Sequence, residues 1–145
     1  MPALAPGAAI VNVSLAGTAL FTVAAGVAAA VPSVAAGPVA VFDVVLAAVG
    51  VLACMAAYGI GVRRSRTDAV TIAGLFFLSG TAPRAVRRRL LGALGVQVVV
   101  AVATSAVRIY TPLAFGILVP LFGLGLTALW GARHGTFFAR EPDLR

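Results

Sequence analysis

Residues 8–31, 39–62, 90–107 and 111–130 form four long apolar runs, and Asp43 is the one charged residue inside any of them. A helix rises about 1.5 Å per residue, so the first run reaches about 36 Å, enough to cross a hydrocarbon core of about 30 Å with some tilt. Composition agrees. Hydrophobic residues make up 61% of the 145 and charged residues 10%, against about 45–50% and about 25% in soluble domains. So few charges cannot cover a soluble domain of this size, and disordered chains are poor in apolar residues rather than rich in them. The mean hydropathy is +1.08. These features describe an all-α integral membrane protein with four transmembrane helices in a single membrane domain.

The charges orient it. The chain has eleven Arg, no Lys, three Asp and one Glu. A net charge of +7 can signal nucleic-acid binding, but here the Arg flank apolar runs and no stacking aromatics lie among them, so no nucleic-acid partner is expected. Orientation in the membrane and contact with anionic lipid explain them better. With four spans, both termini are cytoplasmic. Ten Arg then lie inside: Arg63, Arg64, Arg66, Arg84, Arg87, Arg88, Arg89, Arg133, Arg140 and Arg145. Only Arg108 lies outside. The expected location is therefore the cytoplasmic (inner) membrane, multi-pass. Arg63, Arg64, Arg66, Arg84, Arg87, Arg88 and Arg89 are expected to meet anionic lipid at its cytoplasmic face. Tyr58 and Trp130 near inner ends, and Tyr110 near an outer end, fit interfacial aromatics.

Residues 69–79, AVTIAGLFFLS, lie between the two Arg clusters. At about 17 Å as a helix they are too short to span comfortably. Spanning would also put the clusters on opposite sides, against the positive-inside rule. They read as one short interfacial or re-entrant helix, with Asp68 as N-cap and Gly80 and Pro83 as its end; a fifth span is the alternative. Residues 32–38, PSVAAGP, read as an uncharged turn, and 131–145 as a polar cytoplasmic tail. A cleaved signal peptide competes for the first run, but residues 1–7 lack a positive n-region and the run exceeds a normal h-region.

Catalytic constellations are not apparent, and no enzymatic activity, cofactor or metal is expected. The chain has neither a phosphate-binding G-x-x-x-x-G-K-[ST] loop nor a G-x-G-x-x-G turn after a strand. His134 is the only histidine and Cys54 the only cysteine, which excludes a multi-His site, an internal disulfide and a Cys-rich metal site within one chain. His134, Glu141 and Asp143 read as solvated tail residues, and Cys54 as a small core hydrophobe.

Asp43 stands apart, four residues into the second run and about 6 Å below its outer boundary. Intramembrane carboxylates are rare and usually functional or paired. Three readings stand: an ion pair with Arg108, exposure to outer headgroups, or binding of a proton, ion or substrate. Asn12 and Gln97 are the intramembrane amides, at comparable depth, so a hydrogen bond between the first and third spans can form. Small or polar residues recur every four positions: Ser14, Thr18 and Thr22; Ala53, Ala57 and Gly61; Ala93, Gln97, Ala101 and Ser105; Gly123, Thr127 and Gly131. Such stripes let helices approach closely, and a pore lining is the functional alternative. Pro120, one turn after Gly116, should kink the fourth span.

The stretches RTDAVTIAGLFFLSGTAP (66–83) and TPLAFGILVPLFGLGLTALWGARHGTF (111–137) resemble small multi-span inner-membrane proteins of high-GC actinobacteria, a group that implies location and source but no activity. Small multidrug transporters also have four spans but use a Glu within the first, and no span here contains Glu. The expected function is that of a non-enzymatic accessory or scaffold protein, packing through small-residue helix faces against a membrane-protein partner or a second copy. The alternative is a small oligomeric transporter or channel subunit using Asp43.

Overall fold

The computed structural model describes residues 6–107 and 109–141. Its elements are α1 (Ala8–Ala30), α2 (Pro32–Arg64), a five-residue α3 (Ile72–Phe76), α4 (Arg84–Val107), a 3-10 helix (Pro112–Leu118) and α5 (Pro120–His134). Four helical segments are long and apolar enough to cross a membrane: α1, α2, α4, and the 3-10 helix with α5 taken together. That is the all-helical architecture the four runs imply, with four segments of spanning length. Helix α3 rises only about 8 Å, so it does not form a fifth span.

The four long segments form a bundle with chemically distinct ends. At one end Val11 of α1, Leu78, Leu90 of α4 and Trp130 of α5 share one apolar cluster; Ala57, Leu75, Ala128 and Ala132 share another. At the other end Ala28, Ala36 and Leu113 meet. All nine described Arg, namely Arg63, Arg64, Arg66, Arg84, Arg87, Arg88, Arg89, Arg133 and Arg140, fall on elements of the first end. Helix α5 is the hub, buried around most of its circumference, and its most extensive contact is with α2. Apolar helices in hydrocarbon gain little from clustering as such, so closeness of packing decides. Gly50 and Gly125 provide it: a Cβ on Gly125 would collide with the Gly50 carbonyl, and a Cβ on Gly50 with the Leu121–Phe122 peptide. The two backbones therefore touch.

Several local expectations change. Residues 32–38 are helical rather than a turn, and the reversal is confined to Val31. Pro32 opens α2 at its first position, where a missing N–H removes no bond and the fixed φ suits a helix; Pro38 lies within the helix. Asp43 consequently sits eleven residues, about 16 Å, in from the start of α2. The N-cap of α3 is Thr71 rather than Asp68: Thr71 Oγ1 accepts the Gly74 N–H at 3.0 Å. The segment then leaves the helix early, because Leu78 takes a left-handed backbone (φ 53°) that drives its side chain fully into the bundle. Trp130 is only 3% exposed, a core residue rather than an interfacial one.

Residues 131–145 do not begin as a free tail. Helix α5 runs on to His134, whose ring lies 5.6 Å from that of Trp130. The chain then turns back along the α2–α4 connection. Thr136 N–H donates to Thr81 O at 2.9 Å, Ala69 N–H to Phe138 O at 2.8 Å, and Arg140 N–H to Thr67 O at 2.9 Å, with an isolated bridge between Asp68 and Ala139.

Candidate functional site

The kink expected at Pro120 is a change of helix type. Proline cannot donate to Gly116 O, and in α geometry its ring would crowd that carbonyl. The chain before it winds as a 3-10 helix instead, and Gly116 O accepts the Val119 N–H at 3.1 Å. Phe122 N–H then takes Val119 O at 2.8 Å. A new α-helix thus begins in the middle of the protein, with the Gly123 N–H among the donors its first turn leaves over.

Gln97 satisfies that donor. Its Oε1 accepts the Gly123 N–H at 3.1 Å. Its Nε2 donates to Thr18 Oγ1 at 2.7 Å, and Thr18 Oγ1 donates onward to Ser14 O at 2.7 Å. Because a backbone N–H can only donate, the amide orientation is fixed. Gln97 is fully buried, and this chain of bonds joins α4, α1 and α5. A side chain at Gly123 would run into the Gln97 amide, so glycine and glutamine are matched. The expected bond between the first and third spans exists, but with Thr18. Asn12 is exposed on the outside of α1, turned away from Gln97 because the buried face of that helix runs through Val11, Ser14, Gly17, Thr18 and Phe21. The stripes Ala53–Ala57–Gly61 and Gly123–Thr127–Gly131 are wholly buried, whereas on α1 the burial stops short of Thr22.

Asp43 is 1% exposed, and its Oδ1 has no hydrogen-bond partner among the described residues. It faces the 3-10 helix, where a Cβ on Gly116 would stand 3.4 Å from Asp43 Oδ2, and Phe21 borders the same glycine. The carboxyl is enclosed rather than turned to outer headgroups. Arg108, its expected ion-pair partner, lies outside the described residues. Ser14 Oγ, Ser105 Oγ and Trp130 Nε1 are also buried without a partner among the described residues.

At the Arg end the seven residues expected to meet lipid divide into two sets. Arg64 is turned inward: it pairs with Asp68 at 3.0 Å, donates to Ala132 O at 2.9 Å and lies 5.1 Å over the Phe137 ring. The Ala132 carbonyl belongs to the last turn of α5, whose terminal acceptors need a donor and whose partial negative charge suits a cation. Arg64 is therefore a structural clamp between α2, α5 and the returning chain, and it drops out of the lipid-facing set. Arg63 and Arg87 remain exposed while donating to Gly59 O (3.4 Å) and Phe77 O (3.0 Å). Arg66, Arg84, Arg88 and Arg89 project outward as an exposed cationic surface.

The residue pattern carries no marker of the Gly50–Gly125 contact and only one of the Thr18–Gln97–Gly123 chain. The Pro120-x-x-Gly123 spacing was the available signal, because a helix starting at Pro120 leaves the Gly123 N–H in search of an acceptor. Among the described residues no three His, Cys, Asp or Glu gather as a metal site. Comparison with protein-family models, with curated proteins and with solved structures finds no match to this chain.

Proposed function

We propose that this protein is a non-enzymatic accessory or scaffold protein of the cytoplasmic membrane, with four transmembrane helices, both termini on the cytoplasmic side and the Arg end facing the anionic inner surface. The observation that carries this reading is the closed centre of the bundle. Gln97 ties three helices together, Gly50 and Gly125 bring two backbones into contact, and Phe21, Leu46, Phe122 and Leu126 fill the space around them. Polar capacity is used for holding helices together, while the outward faces of α1, α2 and α4, including Leu20, Val41, Leu52 and Val99, stay apolar. Those faces suit lipid and a membrane-protein partner. Purification from native membranes in mild detergent tests the reading: a stable heteromeric complex is expected, and a chain recovered free of any partner overturns it.

Asp43 favours a second reading, a small oligomeric transporter or channel subunit. A buried carboxyl with an unpartnered oxygen is the kind of group that carries a proton or cation through a bilayer. Under this reading the purified protein is a defined homo-oligomer, it supports ion flux in liposomes, and Asp43→Asn abolishes the flux while leaving the fold intact.

A further inference from the structure

A groove of about 550 Å³ runs between α1 and α4, walled by Leu15, Thr18, Ala19, Thr22 and Val23 on one side and Gly92, Ala93 and Val96 on the other, with Arg89 at one mouth. It is hollow because its walls are mostly small, and it is apolar in spite of its two threonines. Thr22 donates to Thr18 O and Thr18 to Ser14 O, while Thr18 Oγ1 also accepts from Gln97. Both hydroxyls are consumed within the protein, so methyl groups line the surface. Arg89 is exposed and has no hydrogen bond or ion pair among the described residues. Arg84, Arg87 and Arg88 stand beside it around a second, smaller depression.

We propose that this groove binds one anionic phospholipid, with an acyl chain between α1 and α4 and the phosphate on Arg89. The proposal rests on the membrane-spanning reading with the Arg end at one surface. It does not depend on whether the protein is a scaffold or a transporter. The dimensions fit: Leu15 to Val23 spans about 12 Å along the helix, close to the depth of one leaflet, half of a core of about 30 Å. A chain entering beside Arg89 therefore has a groove about as long as one leaflet to lie in. An Arg stem can lie along apolar surface while its guanidinium meets a headgroup, and the neighbouring Arg make a net negative lipid the favoured occupant. A second copy of this chain fits poorly, because two-fold symmetry about the groove would bring Arg89 and its neighbours against their own counterparts.

Gly92 provides the decisive variant. A Cβ there meets nothing within 4 Å, and the same holds at Gly95, which does not line the groove. Gly92→Leu thus fills the groove without disturbing the packing, and Gly95→Leu is its control. Native mass spectrometry of the full-length protein in mild detergent, titrated with phosphatidylglycerol or with phosphatidylcholine of the same chains, reads the binding. One phosphatidylglycerol should be retained per chain in preference to phosphatidylcholine. Arg89→Gln should weaken that retention about fivefold. Gly92→Leu should remove it without lowering the melting temperature, and Gly95→Leu should leave it as it is. Equal retention of the two lipids overturns the proposal. So does retention unaffected by Gly92→Leu, which would assign the lipid to the exposed Arg surface alone. Loss of a homodimer on Gly92→Leu, with lipid retention unchanged, overturns it in favour of a second copy as occupant. None of these outcomes alters the partner-copurification result, so the two readings fail separately.

Discussion

Gln97 Oε1 accepts the backbone N–H of Gly123 at 3.1 Å, at the point where the fourth long segment changes from a 3-10 helix to an α-helix. The bond connects a proline-induced break in one helix to the single buried amide of another. Both groups would otherwise be buried and unpaired, at a cost of about 1–3 kcal/mol for each orphaned group.

Gln97→Ala should therefore lower the thermal midpoint in detergent by more than Thr18→Val does, because it strands the Gly123 N–H while Thr18→Val leaves that bond in place. Gln97→Ala is expected to cost about 1–3 kcal/mol for the stranded Gly123 N–H plus the cavity that truncation leaves, and Thr18→Val less, for the single Gln97 Nε2 donor that loses its acceptor. Losses from Gln97→Ala and Thr18→Val should fall short of additive, since the residues share a bond. Equal effects of the two single variants would mean that the Gly123 N–H finds another acceptor.

Gly125→Ala should weaken the protein more than a substitution on any open glycine. Its Cβ would meet the Gly50 carbonyl, so α2 and α5 must move apart, at about 1–3 kcal/mol for an overpacked site. Gly95→Ala, whose Cβ meets nothing, should be neutral or stabilising by about 0.5–1 kcal/mol through helix propensity. Thermal melts of the two variants side by side measure the difference.

Arg64→Ala should loosen the returning chain as well as the α2 terminus. It removes the contacts to Asp68, Ala132 O and Phe137 together. The pair with Asp68 is partly exposed and contributes little by itself, so most of the effect should come from the bond to the α5 carbonyl, about 1 kcal/mol. Hydrogen exchange at Ala69, whose N–H is held by Phe138 O, should accelerate. Arg64→Lys should not restore protection, because one ammonium cannot reproduce the guanidinium's fork and its stacking on Phe137.

Cysteine accessibility tests the orientation. In a Cys54→Ser background, a cysteine at exposed Ser33 should label from outside the cell. Cysteines at exposed Thr67 and Ser79, on the connection next to the Arg clusters, should label only after the membrane is opened. Labelling of Ser79 from outside would reverse the assignment of the Arg end to the cytoplasm.

Two features were legible in the residues alone: four segments long and apolar enough to cross a membrane, and the gathering of the nine described Arg at one end. Both follow from one-dimensional quantities: the length of an apolar run against a bilayer thickness, and the placement of charges between runs. The stripes through Ala57 and Thr127 were readable for the same reason, since helical periodicity puts every fourth residue on one face. Which faces meet, and what each polar group bonds, follow from packing in three dimensions. Asn12 was expected to meet Gln97, yet Gln97 lies level with Thr18, six residues or about 9 Å further along α1, and Asn12 faces outward. Arg64 and Arg66 lie two residues apart, yet one clamps the end of α5 and the other is exposed. Pro120 announced a break, but the identity of the side chain that satisfies the freed N–H depended on a helix 26 residues away in sequence. The length of a segment follows from counting residues, whereas register, azimuth and partner follow from packing between helices, which no single run contains.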